Sequence, residues 1–161
     1  MKKISFILNV GVLVVIAALS GCKNDDDPGL SAPDQAGINF SGTWEIDGSA
    51  QAVLFHTEDR TAGYKDFKLI ITHQAGTNGG TYTASNYQVG SSPWKESGSW
   101  TFNSATPEAN SFAITRNDGV IVQVLINKPN LKLNFSITDP GTQTGRTASV
   151  EGAWSFNLTK K

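Results

Sequence analysis

Asn117-Asp118-Gly119-Val120-Ile121-Val122-Gln123-Val124-Leu125-Ile126-Asn127-Lys128-Pro129-Asn130-Leu131-Lys132-Leu133-Asn134-Phe135-Ser136-Ile137-Thr138 reads as two strands and the turns that bound them. Leu131, Leu133, Phe135 and Ile137 share one parity, and Lys132, Asn134, Ser136 and Thr138 share the other. That alternation is the signature of a strand with one face in a core and one in water. Val120, Val122, Val124 and Ile126 repeat it one strand earlier. Asp118-Gly119 predicts a type I′ hairpin with positive φ at its central residues, and Lys128-Pro129-Asn130 predicts the next turn.

The same period of two recurs outward from this pair. Strands are expected at 43–47, 52–56, 64–73, 80–86, 97–103, 111–117 and, after a loop from Asp139 to about Ala148, at 152–160. Beyond the N-terminal leader, no segment carries a helical apolar stripe. Thr, Ser, Asn, Gly and aromatic residues dominate, as in β proteins with many turns. The fold class is therefore all-β: a single antiparallel up-and-down barrel of 8–9 strands, with a two-sheet sandwich as the alternative. Short sequential hairpins favour the barrel.

Three strands share a cassette, Gly-small-Trp-x-apolar: Gly42-Thr43-Trp44-Glu45-Ile46, Gly98-Ser99-Trp100-Thr101-Phe102 and Gly152-Ala153-Trp154-Ser155-Phe156. A glycine lets the backbone bend where a strand enters the barrel. Trp44, Trp100 and Trp154 are expected to plug the core.

The 161-residue chain begins with Lys2 and Lys3, a 16-residue apolar run from Ile4 to Leu19, and then Ser20-Gly21-Cys22. Charged, apolar, then small is the order of a signal peptide, here 1–21, and the run is short for a membrane-spanning helix. Leu19-Ser20-Gly21-Cys22 resembles the lipobox of bacterial lipoproteins. The resemblance implies cleavage before Cys22 and a diacylglycerol thioether on its thiol. More than one acyl chain makes such an anchor stable. Lys23-Asn24-Asp25-Asp26-Asp27 resembles the tract that exports lipoproteins of the Bacteroidota to the outer face of the outer membrane; Lys23, Asp25, Asp26 and Asp27 carry the match. Residues 22–38, rich in Asp, Pro, Gly, Ser and Ala, are expected to be a flexible lipidated tether, and 39–161 the barrel.

Cys22 is the only cysteine, so the domain has no internal disulfide and rests on packing. The net charge of −1 becomes about −3 once Lys2 and Lys3 leave with the signal. No basic stripe exists for nucleic acid.

Gly42-Thr43-Trp44 also resembles the Gly-x-Trp signature of lipocalins and of lipocalin-like lipoproteins of the Bacteroidota. Gly80-Thr81-Tyr82, Ser97 to Phe102 and Arg116-Asn117-Asp118-Gly119-Val120 follow in that group's order. The resemblance spans roughly 40–160 and implies a lipocalin-like β barrel on a lipid anchor. Transport of a lipophilic ligand does not carry over, because the disulfides and C-terminal helix of lipocalins are missing from the pattern.

Little in the chain suggests catalysis. His56 falls in a polar loop and His73 at a strand end, where a hydrogen bond suffices for it. Neither a metal-ligand spacing nor a nucleophile elbow occurs, so no metal, cofactor or enzymatic activity is expected. Glu45 and Asp47 share an outer strand face and do not form a glycosidase pair. Arg116 shares parity with Phe112 and Ile114 and is expected to close a barrel end by stacking on a tryptophan such as Trp44. Trp94, in the Ser91-Ser92-Pro93-Trp94-Lys95 loop, is either an exposed contact for a ligand, with Tyr87 and Tyr64, or a lid folded over the core. The expected protein is a non-catalytic binding module on the cell surface, for a glycan, a small apolar ligand or an envelope partner. The alternative is a passive envelope interaction or inhibitor protein with no ligand cavity.

Overall fold

In the strand Asn130–Ile137 exposed and buried residues alternate without exception, and the strand Ile121–Asn127 does the same. These belong to a computed structural model of the chain that describes residues 29–87, 92–138 and 148–161. In order the elements are α1 (Ala32–Phe40), β1 (Gly42–Ile46), β2 (Val53–Phe55), β3 (Glu58–Asp59), β4 (Lys68–His73), β5 (Gly79–Ser85), β6 (Ser97–Phe102), β7 (Ser111–Arg116), β8 (Ile121–Asn127), β9 (Asn130–Ile137) and β10 (Gly152–Lys160). Short 3₁₀ turns at Thr61–Tyr64 and Ala148–Val150 precede β4 and β10.

The strands pair antiparallel in the order β1-β4-β5-β6-β7-β8-β9-β10, and β10 returns to β1. The ring closes as an eight-stranded up-and-down barrel; the sandwich alternative is not what forms. Closure uses one edge of β10 twice. Trp44 faces Lys160 and Ile46 faces Leu158 in β1, while Phe55 faces Trp154 and Val53 faces Phe156 in β2. β2 thus continues β1 along β10, and β3 folds back on it outside the ring.

The strand expected at 64–73 begins only at Lys68, since Tyr64 closes a 3₁₀ turn, and four further details differ from the sequence-based expectation. First, residues 32–38 are not tether but most of α1. Ser31 caps the helix, its Oγ accepting the Asp34 N–H at 3.2 Å, and Pro33 suits its first turn. A nine-residue helix is marginal alone. Phe40 holds it, edge-on to Trp100 and Phe112 at 5.3 and 5.5 Å. Second, the 117–119 turn is not type I′: only Gly119 takes positive φ, +82°. The Asp118 carboxylate turns back to Arg116 and accepts the Val120 N–H at 3.3 Å, which fixes the other shape. Third, β3 was not expected, being too short to show a period. Fourth, Arg116 stacks on Trp94, 4.8 Å from the ring centroid. Trp44 receives Lys160 instead.

The barrel has a base and a mouth. α1 crosses the base: Asp34 Oδ1 accepts the Gly76 N–H at 2.8 Å in the β4–β5 turn. Asn39 Nδ2 donates to Ala109 O at 3.0 Å before β7, and Lys128 Nζ in the β8–β9 turn donates to Asn39 Oδ1 at 2.8 Å. The β2–β3 hairpin, both 3₁₀ turns, Trp94 and the Arg116–Val120 turn lie at the opposite end, the mouth.

Trp44 and Trp154 repeat one device at opposite ends. Each indole N–H donates at 2.9 Å to the carbonyl four residues earlier, Phe40 O or Val150 O, at the close of a helical segment. Gly42 and Gly152 stand between, at φ +141° and +135°, values that L side chains rarely adopt. Trp100 differs, donating across strands to Thr81 O at 3.1 Å.

Between the ends the interior is full. Phe67, Leu69, Val122, Leu133, Phe156 and Leu158 are wholly buried. A void walled by Leu69, Tyr82, Trp94, Trp100 and Arg116 measures only about 10 Å³, near the size of one water and far below a ligand site.

Candidate binding cleft

A cleft of about 400 Å³ opens at the mouth, outside the barrel core. Phe55, Tyr64 and Trp154 wall it, and Asp59, Arg60 and Ser149 supply polar groups. The β2–β10 register places Phe55 opposite Trp154, with ring centroids 4.6 Å apart. The 3₁₀ turn carries Tyr64 to Trp154, edge-on at 6.1 Å. The β2–β3 turn then projects Asp59 and Arg60 beside these rings.

The polar groups are charged and wet. Hydrogen bonds from Thr61, first from its side chain and then from its backbone, hold the Asp59 carboxyl below the usual range, so it is an acceptor at neutral pH. Arg60 is half exposed and donates to Glu58 at 2.6 Å. Its guanidinium lies 5.7 Å from the Phe55 ring centroid. Burial pushes the Tyr64 phenol up to about 12, which keeps it neutral. A partly exposed ring with an acceptor and a donor beside it can hold an uncharged ligand that has an apolar and a polar face.

Other grooves run between strands on the barrel's outside. One of about 470 Å³ follows β4 to β6 past Thr72, Thr81, Ser99 and Thr101. It has hydroxyls but no charged side chain, and Trp100, though at its edge, is buried.

Of the aromatics expected at a ligand, Tyr64 lies in the cleft wall. Tyr87 packs partly buried against the core. Trp94 is not an exposed platform: it is 4% exposed, edge-on to Tyr82, Phe135 and Phe156. Beneath it Arg116, 1% exposed, donates to Pro93 O at 3.1 Å and forms a two-point ion pair with Asp118. Trp94 therefore caps an internal ion pair, the lid rather than the contact. Trp44, Trp100 and Trp154 are buried in the core as expected, although Trp154 also reaches the cleft. Phe55, Asp59 and Arg60 were not singled out from sequence. The sequence places them only in and just after the strand expected at 52–56, in the polar loop that begins with His56.

The His73 side chain is buried and joins base to helix. Its Nε2 lies 2.8 Å from Asp34 Oδ1 and its Nδ1 2.9 Å from Gly79 O. No group of three metal-ligating side chains occurs among the described residues, and no helix there is long and apolar enough to cross a membrane. The signal segment, Cys22, Lys23, Asp25, Asp26 and Asp27 lie outside the described residues.

No protein-family model matches the chain, and neither curated proteins nor solved structures give a match.

Proposed function

We propose that the chain is a lipid-anchored lipoprotein of the outer membrane, held by acylated Cys22 and displayed on the cell exterior, whose barrel is a non-catalytic binding module. It takes its ligand or partner (a glycan, a small apolar ligand or an envelope protein) at the mouth and not inside the barrel. One observation carries this: the interior is full, while an aromatic cleft of about 400 Å³ opens at the end away from α1. The tether would join the barrel through α1 at the base, leaving the mouth free. Lys23, Asp25, Asp26 and Asp27 supply the export address.

The full interior also favours a second reading, a passive envelope interaction or inhibitor protein. Such a protein would touch its partner through strand faces and would not need the cleft.

Labelling cells with a fatty-acid probe, with and without Cys22→Ala, tests the anchor, and protease treatment of intact cells tests display. Label that disappears with Cys22→Ala, together with loss of the protein on shaving, is expected. Label with full protection from protease would turn the anchor inward. No label would remove the lipoprotein reading.

A further inference from the structure

We infer that the mouth cleft is a site for an uncharged sugar ring, a reading that rests on the binding-module proposal above and narrows it to one ligand class. The argument is one of elimination. A wholly apolar ligand would cover Asp59 and Arg60, both charged, and return no hydrogen bonds to them. The two charges that line the cleft are opposite, so an anionic ligand would face the Asp59 carboxylate and a cationic one the Arg60 guanidinium. A pyranose presents a C–H face for the half-buried Phe55 ring, which Tyr64 and Trp154, each 5% exposed, support from behind. It also presents hydroxyls that can donate to Asp59 and accept from Arg60. Phe55, Asp59 and Arg60 then each have a partner of the right kind.

The walls suit this use. Phe55 is fixed by strand pairing and by its contact with Trp154, so the aromatic surface is preformed. Asp59 is ionised and held by Thr61. The Arg60 guanidinium carries five N–H donors and gives one to Glu58 at 2.6 Å. A cleft of about 400 Å³ is at the small end of ligand sites, the size of a saccharide end and not of a long chain.

The test uses full-length protein purified in detergent from expressing cells, applied to an array of neutral and acidic oligosaccharides. Asp59→Asn and Arg60→Gln change exposed groups and leave the core intact. Each should weaken binding of neutral glycans by about tenfold or more, the loss of one charge-assisted hydrogen bond. Thr101→Ala, in the outer groove along β6, should leave binding unchanged. A blank array, a preference for acidic glycans, or binding that survives both cleft variants would overturn the sugar assignment. So would binding lost only with Thr101→Ala. A blank array on protein that is acylated and shaved in cells overturns the sugar site alone. Glycan binding by protein that is never acylated keeps the site and removes the anchor.

Discussion

At the scale of residues, the four tryptophans are not equivalent, and their indole nitrogens show why. Trp44 and Trp154 each satisfy the last carbonyl of a helical segment. Replacing either by Phe removes a buried bond and leaves that carbonyl unpaired, a cost of about 1–3 kcal/mol before any loss of volume. Trp94 Nε1 is buried with no hydrogen-bond partner among the described residues. Trp94→Phe would discard an unsatisfied donor and keep a ring face for Arg116, so the gain partly offsets the lost volume. Urea unfolding should therefore rank Trp44→Phe and Trp154→Phe as clearly more destabilising than Trp94→Phe. Equal losses at all three would mean that volume alone matters. The shared Gly-x-Trp spelling was legible as a core plug. That two cassettes cap helical segments while the third bonds across strands was not, because the difference lies in what precedes each glycine.

At the scale of elements, the strands were legible because one wet face imposes a period of two that no other structure shares. Helix α1 was hidden because it is short, its buried positions are few, and Pro28, Gly29 and Pro33 make it resemble linker. Ser31 with Asp34 three residues on was the readable sign, a capping pair just ahead of Ala36 and Phe40. The cleft was hidden for another reason: it gathers Phe55, Asp59, Tyr64, Ser149 and Trp154 from segments that no periodicity links. What latches α1 is Asp34, whose carboxyl is lowered to about 2, chiefly by its bond to His73 and then by Ser31 and Gly76. A carboxyl whose folded pKa is depressed stabilises above its unfolded value, near 4, and loses that contribution as pH falls toward the folded value. Acid should therefore loosen the helix between about pH 4 and pH 2. Asp34→Asn should melt lower than the native chain at pH 6, with the gap closing by pH 2. A gap independent of pH would show that the latch is not ionic. Gly37 reports on the same contact, since a Cβ there would meet the His73 ring at 2.2 Å.

At the scale of the whole molecule, a closed barrel has two ends and this one uses them differently. The base is shut by a helix tied to three turns, and the mouth carries the cleft. Strands of five to nine residues, tilted as barrel strands are, make the distance between the ends roughly 15–25 Å. If Cys22 is acylated, the residues between it and Ala32 allow at most about 35 Å of extended chain. The base is then always within that reach of the lipid surface, whereas the mouth can lie a full barrel length further out. Thr106, exposed in the base turn between β6 and β7, and Ala62, exposed at the mouth, are suitable places for a probe. With the native protein in vesicles that carry a lipid-borne quencher, a fluorophore on Thr106→Cys should be quenched more strongly than one on Ala62→Cys. Protease cleavage within the tether should abolish both signals. Equal quenching at the two positions would mean that the barrel lies on its side. Stronger quenching at Ala62 would put the cleft against the membrane, where a soluble glycan could not reach it.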